Sequence, residues 1–330
     1  MAHPVVIIHN PVNERSQADE KDVLVQVSAV RDALVNLGHE VRILPFDHRS
    51  TEFERTLGQL KPLCVFNLVE SVDGDGRLIH WACSLLDHLG IAYTGASAEA
   101  MFLTSNKVLA KRWLHEAGIP TPGWLASGAE APCACPFPGE YMVKALWEEA
   151  SIGIDETSVV RAQGQEDLSR LVDVRSERLG CRCFAERYID GREFNLSVLG
   201  GGNAPEVLPP AEIIFDFPPG RKRIVDYRAK WDEESFEYRA TRRSFDFPAE
   251  DSPLLERLAD TARACWRLFD LAGYARVDFR VDSEGRPWVL EINANPCISP
   301  DSGFAAACAR ADIPFSKAIQ HIVADALKGG

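Results

Sequence analysis

The side chains with the most chemistry to offer sit close together near the C-terminal end. Tyr274-Ala-Arg-Val-Asp-Phe-Arg-Val281 and Pro287-Trp-Val-Leu-Glu-Ile-Asn293 are alternating runs on either side of Asp282-Ser-Glu-Gly285, and they read as a β-hairpin around a Gly-containing turn. Residues two apart on a strand share a face. Arg276 and Asp278 therefore point one way, and Ala275, Val277, Phe279 and Val281 the other. In the partner strand Glu291 and Asn293 oppose Leu290 and Ile292. If the two polar faces coincide, one guanidinium and three oxygen-bearing side chains stand above an apolar floor. Two carboxylates and an amide oxygen make a hard donor set, suited to Mg2+ holding nucleotide phosphates. A solvated sheet face would show the same alternation.

The elements that must position this hairpin begin with a strand–helix alternation. Val5-Val6-Ile7-Ile8-His9, Val41-Arg42-Ile43-Leu44 and Leu63-Cys64-Val65-Phe66 read as strands. Between and after them lie a helix with Val23, Val27, Val30 and Leu34 on one face, ended by Gly38, and another over about 78–89, ended by Gly90. Such a βαβαβ order predicts a parallel sheet with helices on both faces, and ligands at the carboxyl ends of its strands. That makes residues 67–73 a candidate site loop, in which Glu70 and Asp73 either contact a substrate amine or lie in solvent. A helix from Lys107 to Gly118 follows, then Pro120 and Pro122, then a loop over 127–139. Tyr141-Met-Val-Lys144 and Cys183-Phe-Ala-Glu-Arg-Tyr188 read as strands flanking a helix that ends near Gly180. Residues 216–245 are long, charged and rich in Pro and Gly, as a closing lid would be.

The bulk numbers exclude some functions. A chain of 330 residues, 46% hydrophobic and 26% charged, is in the ordinary globular range and divides into two or three subdomains. A net charge of −13 argues against a nucleic-acid partner, which needs basic surface. No stretch approaches the roughly 20 apolar residues of a membrane span. The start lacks a basic n-region and an apolar h-region, and nine cysteines fit reduced thiols better than a disulfide framework. The expectation is a cytoplasmic protein.

Glu291-Ile-Asn293-Ala-Asn-Pro296 resembles the motif that closes the metal site of ATP-grasp ligases, in particular D-alanine–D-alanine ligases. Other segments match in the same order, from about Ile91 to the C-terminus: Tyr93-Thr94-Gly95, Lys107 opening a helix, Gly118-Ile-Pro-Thr-Pro122, Met142-Val-Lys144 with Ser151-Ile-Gly153-Ile, Glu186-Arg-Tyr-Ile189, Gly191-Arg-Glu193-Phe and Asp226-Tyr-Arg-Ala-Lys230. The resemblance implies an ATP-grasp fold, with an N-terminal α/β unit (1–100), a central unit (101–188) and a C-terminal unit carrying the metal site and lid (189–330). It implies ATP and Mg2+, or Mn2+, as cofactors. Lys107 and Lys144 would bind phosphates; the hinge of Glu186, Arg187, Tyr188 and Ile189 would hold adenine, and Glu193 the ribose. Asp278, Glu291 and Asn293 would ligate metal. Arg276 would stabilise an oxyanion, Lys230 would guide the γ-phosphoryl group, and Ser151 would belong to the mobile phosphate loop.

The activity implied is activation of a small carboxylate as an acyl phosphate, then transfer to an amine or hydroxyl acceptor, with release of ADP and phosphate. The partners would be amino acids or hydroxy acids, in a homodimer. A nucleotide-binding relative without turnover and a phosphotransferase are the alternatives. Ser302 matches the serine that meets the second substrate's carboxylate. Four features depart from the ligase pattern: Phe66-Asn-Leu-Val-Glu-Ser-Val-Asp-Gly74 replaces a glycine-rich segment with a histidine, Ala150 precedes Ser151 where a second serine is usual, Trp231 follows the lid lysine, and Cys297 follows Asn-x-x-Pro. These positions organise the amino-acid sites in the ligases, so the implied acceptor differs from D-alanine.

Remaining motifs have ordinary explanations beside chemical ones. Cys133-Ala-Cys135 and Cys181-Arg-Cys183 offer four thiols to zinc, without the usual C-x2-C spacing. Cys297 is either a thiol nucleophile or a compact space-filler. Gly200-Gly-Gly-Asn203 lacks the context of a phosphate cradle and reads as a turn. Arg221-Lys-Arg223 and the arginines of 239–243 either attract anions or solvate a loop.

Overall fold

The computed structural model describes residues 3–14, 16–126, 135–147, 151, 153–200 and 204–328. Among these residues the strands form three sheets. The first contains β1 (Val5–His9), β2 (Val41–Pro45) and β3 (Cys64–Leu68) in the order β2-β1-β3, all parallel. Every residue of β1 is buried, as a strand covered on both faces must be. Val5, Ile7 and Phe66 pack with α1 (Ala18–Asn36), while Val6, Ile8 and Val65 pack with α2 (Thr51–Leu60) and α3 (His80–Leu89). The expected parallel sheet with helices on both faces is present.

Two helices follow, α4 (Ala98–Ser105) and α5 (Lys107–Glu116). The sequence reading had not anticipated α4. Its start is nonetheless marked, since the Ser97 hydroxyl accepts from the Ala100 amide. The second sheet is antiparallel, with β4 (Trp124–Ala126), β5 (Gly139–Ala145), β6 (Val159–Ala162) and β7 (Cys183–Arg187) in the order β4-β7-β5-β6. Helix α6 (Gln165–Leu179) covers it through Leu168 and Val172, and Gly180 ends that helix in the left-handed region.

The third sheet carries the hairpin. It contains β8 (Arg192–Leu199), β9 (Glu206–Val207) and β10 (Ala211–Phe215). The lid follows with two short helices, α7 (Tyr227–Trp231) and α8 (Phe236–Arg239), and then β11 (Thr241–Ser244) pairs back onto β10. The segment expected as a lid is therefore shorter than 216–245, because residues 241–244 pair into the sheet. Helix α9 (Ser252–Leu268) then precedes β12 (Tyr274–Val281) and β13 (Pro287–Asn293), and the path through the sheet is β11-β10-β8-β12-β13, with β9 on β8. Leu258, Ala262 and Cys265 of α9 pack on Ala275, Val277, Phe279 and Val281, which are the predicted floor residues. Helices α10 (Gly303–Arg310) and α11 (Phe315–Ala326) return to the first sheet, where Phe304, Ile319 and Ile322 share a core with Ile7 and Phe66. The C-terminal residues thus close the core of the N-terminal unit.

The turn of the hairpin is held by one carboxylate. Asp282 accepts from the amides of Glu284 and Arg286, the Arg286 guanidinium and the Trp288 indole, all at 3.0 Å. Partial burial pushes this carboxyl up, but the Trp288 indole and the other donors outweigh burial and hold it at about 2 against 3.8. Its stabilising contribution is complete above about pH 4 and is lost as pH falls toward 2, because the folded-state value is the depressed one. Asp282→Asn should therefore lower stability by about 1–2 kcal/mol near neutrality. In paired thermal melts the gap to the unaltered chain should narrow below pH 4, and a gap independent of pH would contradict the assignment.

Candidate active site

In the hairpin register Arg276 lies opposite Asn293 and Asp278 opposite Glu291, so the two polar faces coincide. A register shift between Asp278 and Phe279 skips Leu290 and so places Asp278 opposite Glu291. Arg276 donates through Nε and Nη2 to the two oxygens of Asp278, each at 2.8 Å. Asn195, paired with Asp278 from β8, donates to Oδ1 at 2.8 Å, and Asn293 donates to Oδ2 at 3.3 Å. Glu291 is partly buried, and the Lys107 ammonium stands 3.4 Å from its Oε2. Burial works against its charge, but Lys107, Lys144, Lys230 and Arg276 outweigh burial and hold the carboxyl far below the usual range.

Among the described residues no group of three or more His, Cys, Asp or Glu side chains could hold a metal by itself. Asp278, Glu291 and Asn293 supply two carboxylates and one amide oxygen, which leaves half the positions of a six-coordinate cation to phosphate oxygens and water. That donor set fits Mg2+ arriving with a nucleotide.

These residues face a cleft of about 1030 Å³ bounded by the second and third sheets, the start of α1 and the loops that follow β1 and β3. Of the site residues expected from sequence, all but Lys107 line it. Lys107 opens α5, is almost fully buried and stands 3.4 Å from Glu291 Oε2. Lys144, on β5, pairs with Glu186 Oε1 at 2.7 Å, and Lys111 pairs with Oε2 at 2.6 Å. Lys111, which the sequence reading missed, is 1% exposed and also donates to Thr121 Oγ1 at 2.8 Å. It lies one helical turn after Lys107, and that spacing was the available signal. Burial pulls the Lys111 ammonium down, while the two lysines outweigh burial at Glu186 and keep its carboxyl low. The carboxylate expected to meet adenine is thus already shared between two cations. Arg187, Tyr188 and Ile189 form the hinge between the second and third sheets, and Glu193 follows on β8, ion-paired with Arg280 at 2.7 Å.

Lys144→Ala should leave the chain folded, because Lys111 still compensates Glu186. Nucleotide affinity should fall by more than about tenfold through loss of a charge-assisted phosphate contact. Calorimetric titration with ATP checks this, and an unchanged affinity would remove Lys144 from the site.

The lid lies across the cleft. Ser151, in the left-handed region at φ 62°, donates to the Val225 carbonyl at 2.8 Å. Arg221 pairs with Glu156 at 2.5 Å and with Glu237, and it stacks on Phe217 and Phe236. Lys222 pairs with Glu140 at 2.7 Å. The cluster 221–223 therefore fastens the lid to the central unit. Lys230 lies near enough to Glu193 and Glu291 to act on both carboxyls.

At the other end of the cleft Ser302 caps α10, its hydroxyl accepting from the Ala305 amide, so a helix N-terminus faces the cavity. Glu70 accepts from Gln26 at 3.0 Å, and Gln26 also donates to Asp22 at 3.2 Å. Asp73 lines the cleft, but its carboxylate pairs with Arg49 at 2.5 Å and sits 3.6 Å from His48. The structure places Cys297 in the cleft wall with Sγ 3.1 Å from Asp22 Oδ2. Burial and then Asp22 push its thiol up to about 12, which keeps it protonated and a poor nucleophile.

Of the proposed zinc thiols, Cys133 lies outside the described residues; Cys183 is buried in the central core, with Cys135 and Cys181 packed against it. Residues 201–203 of the glycine run also lie outside the described residues.

Residues 134–324 match the family described as D-ala D-ala ligase C-terminus. A D-alanine–D-alanine ligase of Synechococcus is 31% identical over 91% of this chain and 87% of its own length. An uncharacterized protein of Sinorhizobium fredii is 32% identical over 88% and 84%. The crystal structure of the Bacillus anthracis D-alanine–D-alanine ligase complexed with ATP superposes with a TM-score of 0.71 at 20% identity, covering 99% of this chain and 98% of that one. With the three-sheet architecture, these matches give one conclusion: the chain belongs to the D-alanine–D-alanine ligase family of ATP-grasp enzymes, the ATP-dependent carboxylate–amine ligases.

Proposed function

We propose that the chain phosphorylates the carboxylate of a small amino acid or hydroxy acid with ATP and joins the acyl group to the amine of a second amino-acid-like molecule. The carrying observation is the coincidence of Arg276, Asp278, Glu291 and Asn293 on one face of the hairpin, inside a cleft that also holds Lys144, Glu193 and Lys230. Bound Mg2+ would neutralise phosphate charge between Asp278, Glu291 and Asn293. Lys144 would steady the phosphates and Lys230 the γ-phosphoryl group. The first carboxylate attacks the γ-phosphorus, ADP leaves, and the acceptor amine then displaces phosphate. Arg276 would hold the oxyanion formed in that second step. The lid would exclude water from the acyl phosphate.

D-alanine is the first acid to test, given the names of the relatives. The acceptor end, with Cys297 and Asp22 in its wall and Trp231 beside the lid lysine, supports a different second substrate. The strands fall before residue 100, between 101 and 188, and after 189, which supports the three-unit division at those boundaries. No helix among the described residues is long and apolar enough to cross a membrane. Cys64, Cys83, Cys183, Cys265, Cys297 and Cys308 are free thiols, which supports a reducing, cytoplasmic setting, and a homodimer is the assembly the family relationship suggests.

The test is phosphate release from ATP and Mg2+ over a panel of amino acids and hydroxy acids, alone and in pairs, with mass detection of products. Release that requires one pair, with the joined product found, establishes the ligase and its substrates. Release with a phosphorylated product and no joining would make the protein a phosphotransferase. ATP binding without stimulated release by any pair would count against ligase turnover.

A further inference from the structure

Arg280 follows Asp278 by two residues on β12 and lines the same cleft, yet only 4% of it is exposed. Its guanidinium meets four separate parts of the nucleotide end. One nitrogen, Nη2, stands 2.7 Å from the Glu193 carboxylate and also donates to the carbonyl of Arg223 in the lid. The other, Nη1, donates at 3.2 Å to the carbonyl of Gly191, between the hinge and β8. The guanidinium carbon lies 5.7 Å from the ring centre of Tyr188 and 5.6 Å from that of Phe215, within cation–π range. The Tyr188 hydroxyl donates to the same Arg223 carbonyl at 3.3 Å, so one lid carbonyl receives two donors from the hinge side. The hinge is held tightly against this strand, because a Cβ on Gly191 would stand 1.9 Å from the Val281 carbonyl oxygen. Only a planar, multi-donor cation can serve a carboxylate and two carbonyls in these directions; a lysine offers one point charge.

We propose that Arg280 is a positioning residue that couples nucleotide occupancy of the hinge to closure of the lid, by holding Glu193 and the Arg223 carbonyl on one guanidinium. The proposal rests on the nucleotide site proposed above. Nucleotide that contacts Tyr188 and Glu193 fixes the groups that fix Arg280, and Arg280 in turn holds the lid segment around Arg223. Loss of the guanidinium takes from Glu193 its ion-pair partner at 2.7 Å and from the Arg223 carbonyl one of its two hinge-side donors. In turnover the open lid would admit water to the acyl phosphate, which adds across it to return the carboxylic acid and inorganic phosphate.

Trypsin reads the lid directly, since Arg221, Lys222 and Arg223 are cleavage sites within it. The full chain is digested with and without a non-hydrolysable ATP analogue and Mg2+, and cutting after Arg223 is followed by mass. The analogue should slow this cut in the unaltered chain by about tenfold, while in Arg280→Met and Arg280→Lys the slowing should fall below about twofold. Tyr188→Phe, which removes the second donor to the same carbonyl, should lie between. Circular dichroism melts confirm which variants are folded, and Tyr188→Phe carries the test if Arg280→Met is not. Where an active acid pair is known, the variants should release more phosphate than product. Equal protection in folded Arg280 variants that bind the analogue overturns the role of Arg280 and leaves the ligase reading intact. Failure of the unaltered chain to bind the analogue overturns both.

Discussion

Glu291→Gln should cost at least about 10³-fold in Mg2+-dependent turnover while ATP itself remains bound. Glu291 is the negative centre of four cations, Lys107, Lys144, Lys230 and Arg276. Glutamine has the same size, so no cavity opens, and the neutral amide leaves the surrounding positive charge uncompensated. Those cations should then attract the polyphosphate at least as strongly as before, because a repelling charge has been removed. What is lost is one of two carboxylates able to bring a divalent cation to the phosphates. The expected signature is split: nucleotide binding in EDTA unchanged or tighter, Mg2+ dependence flattened, and phosphate release nearly abolished. Near-normal turnover in a folded Glu291→Gln chain would take the metal away from this face of the hairpin.

Arg276→Lys should lower kcat by about 10²-fold with a much smaller change in KM for ATP. The guanidinium now reaches both oxygens of Asp278 through Nε and Nη2. A cation binding Asp278 would compete with it for those oxygens, and an arginine so freed would be available to the developing oxyanion. Lysine keeps the charge but loses the two-pronged geometry. It should also compete less for Asp278, so the Mg2+ concentration giving half-maximal activity should fall while the maximal rate falls. Steady-state kinetics over a Mg2+ series separates the two effects, and an unchanged kcat would remove Arg276 from the chemistry.

The hairpin was legible because every cue in it is local. Alternation places Arg276 and Asp278 on one face and a Gly-containing turn sets the partner strand, but the pairing of Asp278 with Glu291 depends on the register shift after Asp278, which local cues do not announce. Lys144, Glu186 and Glu193 were singled out through the family resemblance of their segments, and all three line the cleft. What escaped depends on chain segments far apart in sequence. Nothing near Lys111 announces that its ammonium will meet Glu186, because three strands and a helix separate α5 from β7 along the chain. Arg280 shares the alternation of Asp278 but was overlooked, since its partners Glu193, Gly191 and the Arg223 carbonyl come from the hinge and lid. Asp73 was chosen for its place after β3, whereas Arg49, after β2, determines where its carboxylate points. The return of α10 and α11 to the first sheet was likewise invisible, because an amphipathic helix records that it is covered and not by what.

The most direct test of acyl-phosphate chemistry follows an oxygen atom. The acid that stimulates phosphate release is supplied with ¹⁸O in both carboxylate oxygens, together with ATP, Mg2+ and its acceptor, and the released phosphate is examined by mass. Attack of the carboxylate on the γ-phosphorus carries one labelled oxygen into phosphate for each molecule of product joined. Unlabelled phosphate accompanying joined product would mean that the carboxylate never became an acyl phosphate, and the roles given to Arg276, Lys230 and the hairpin carboxylates would fall with it.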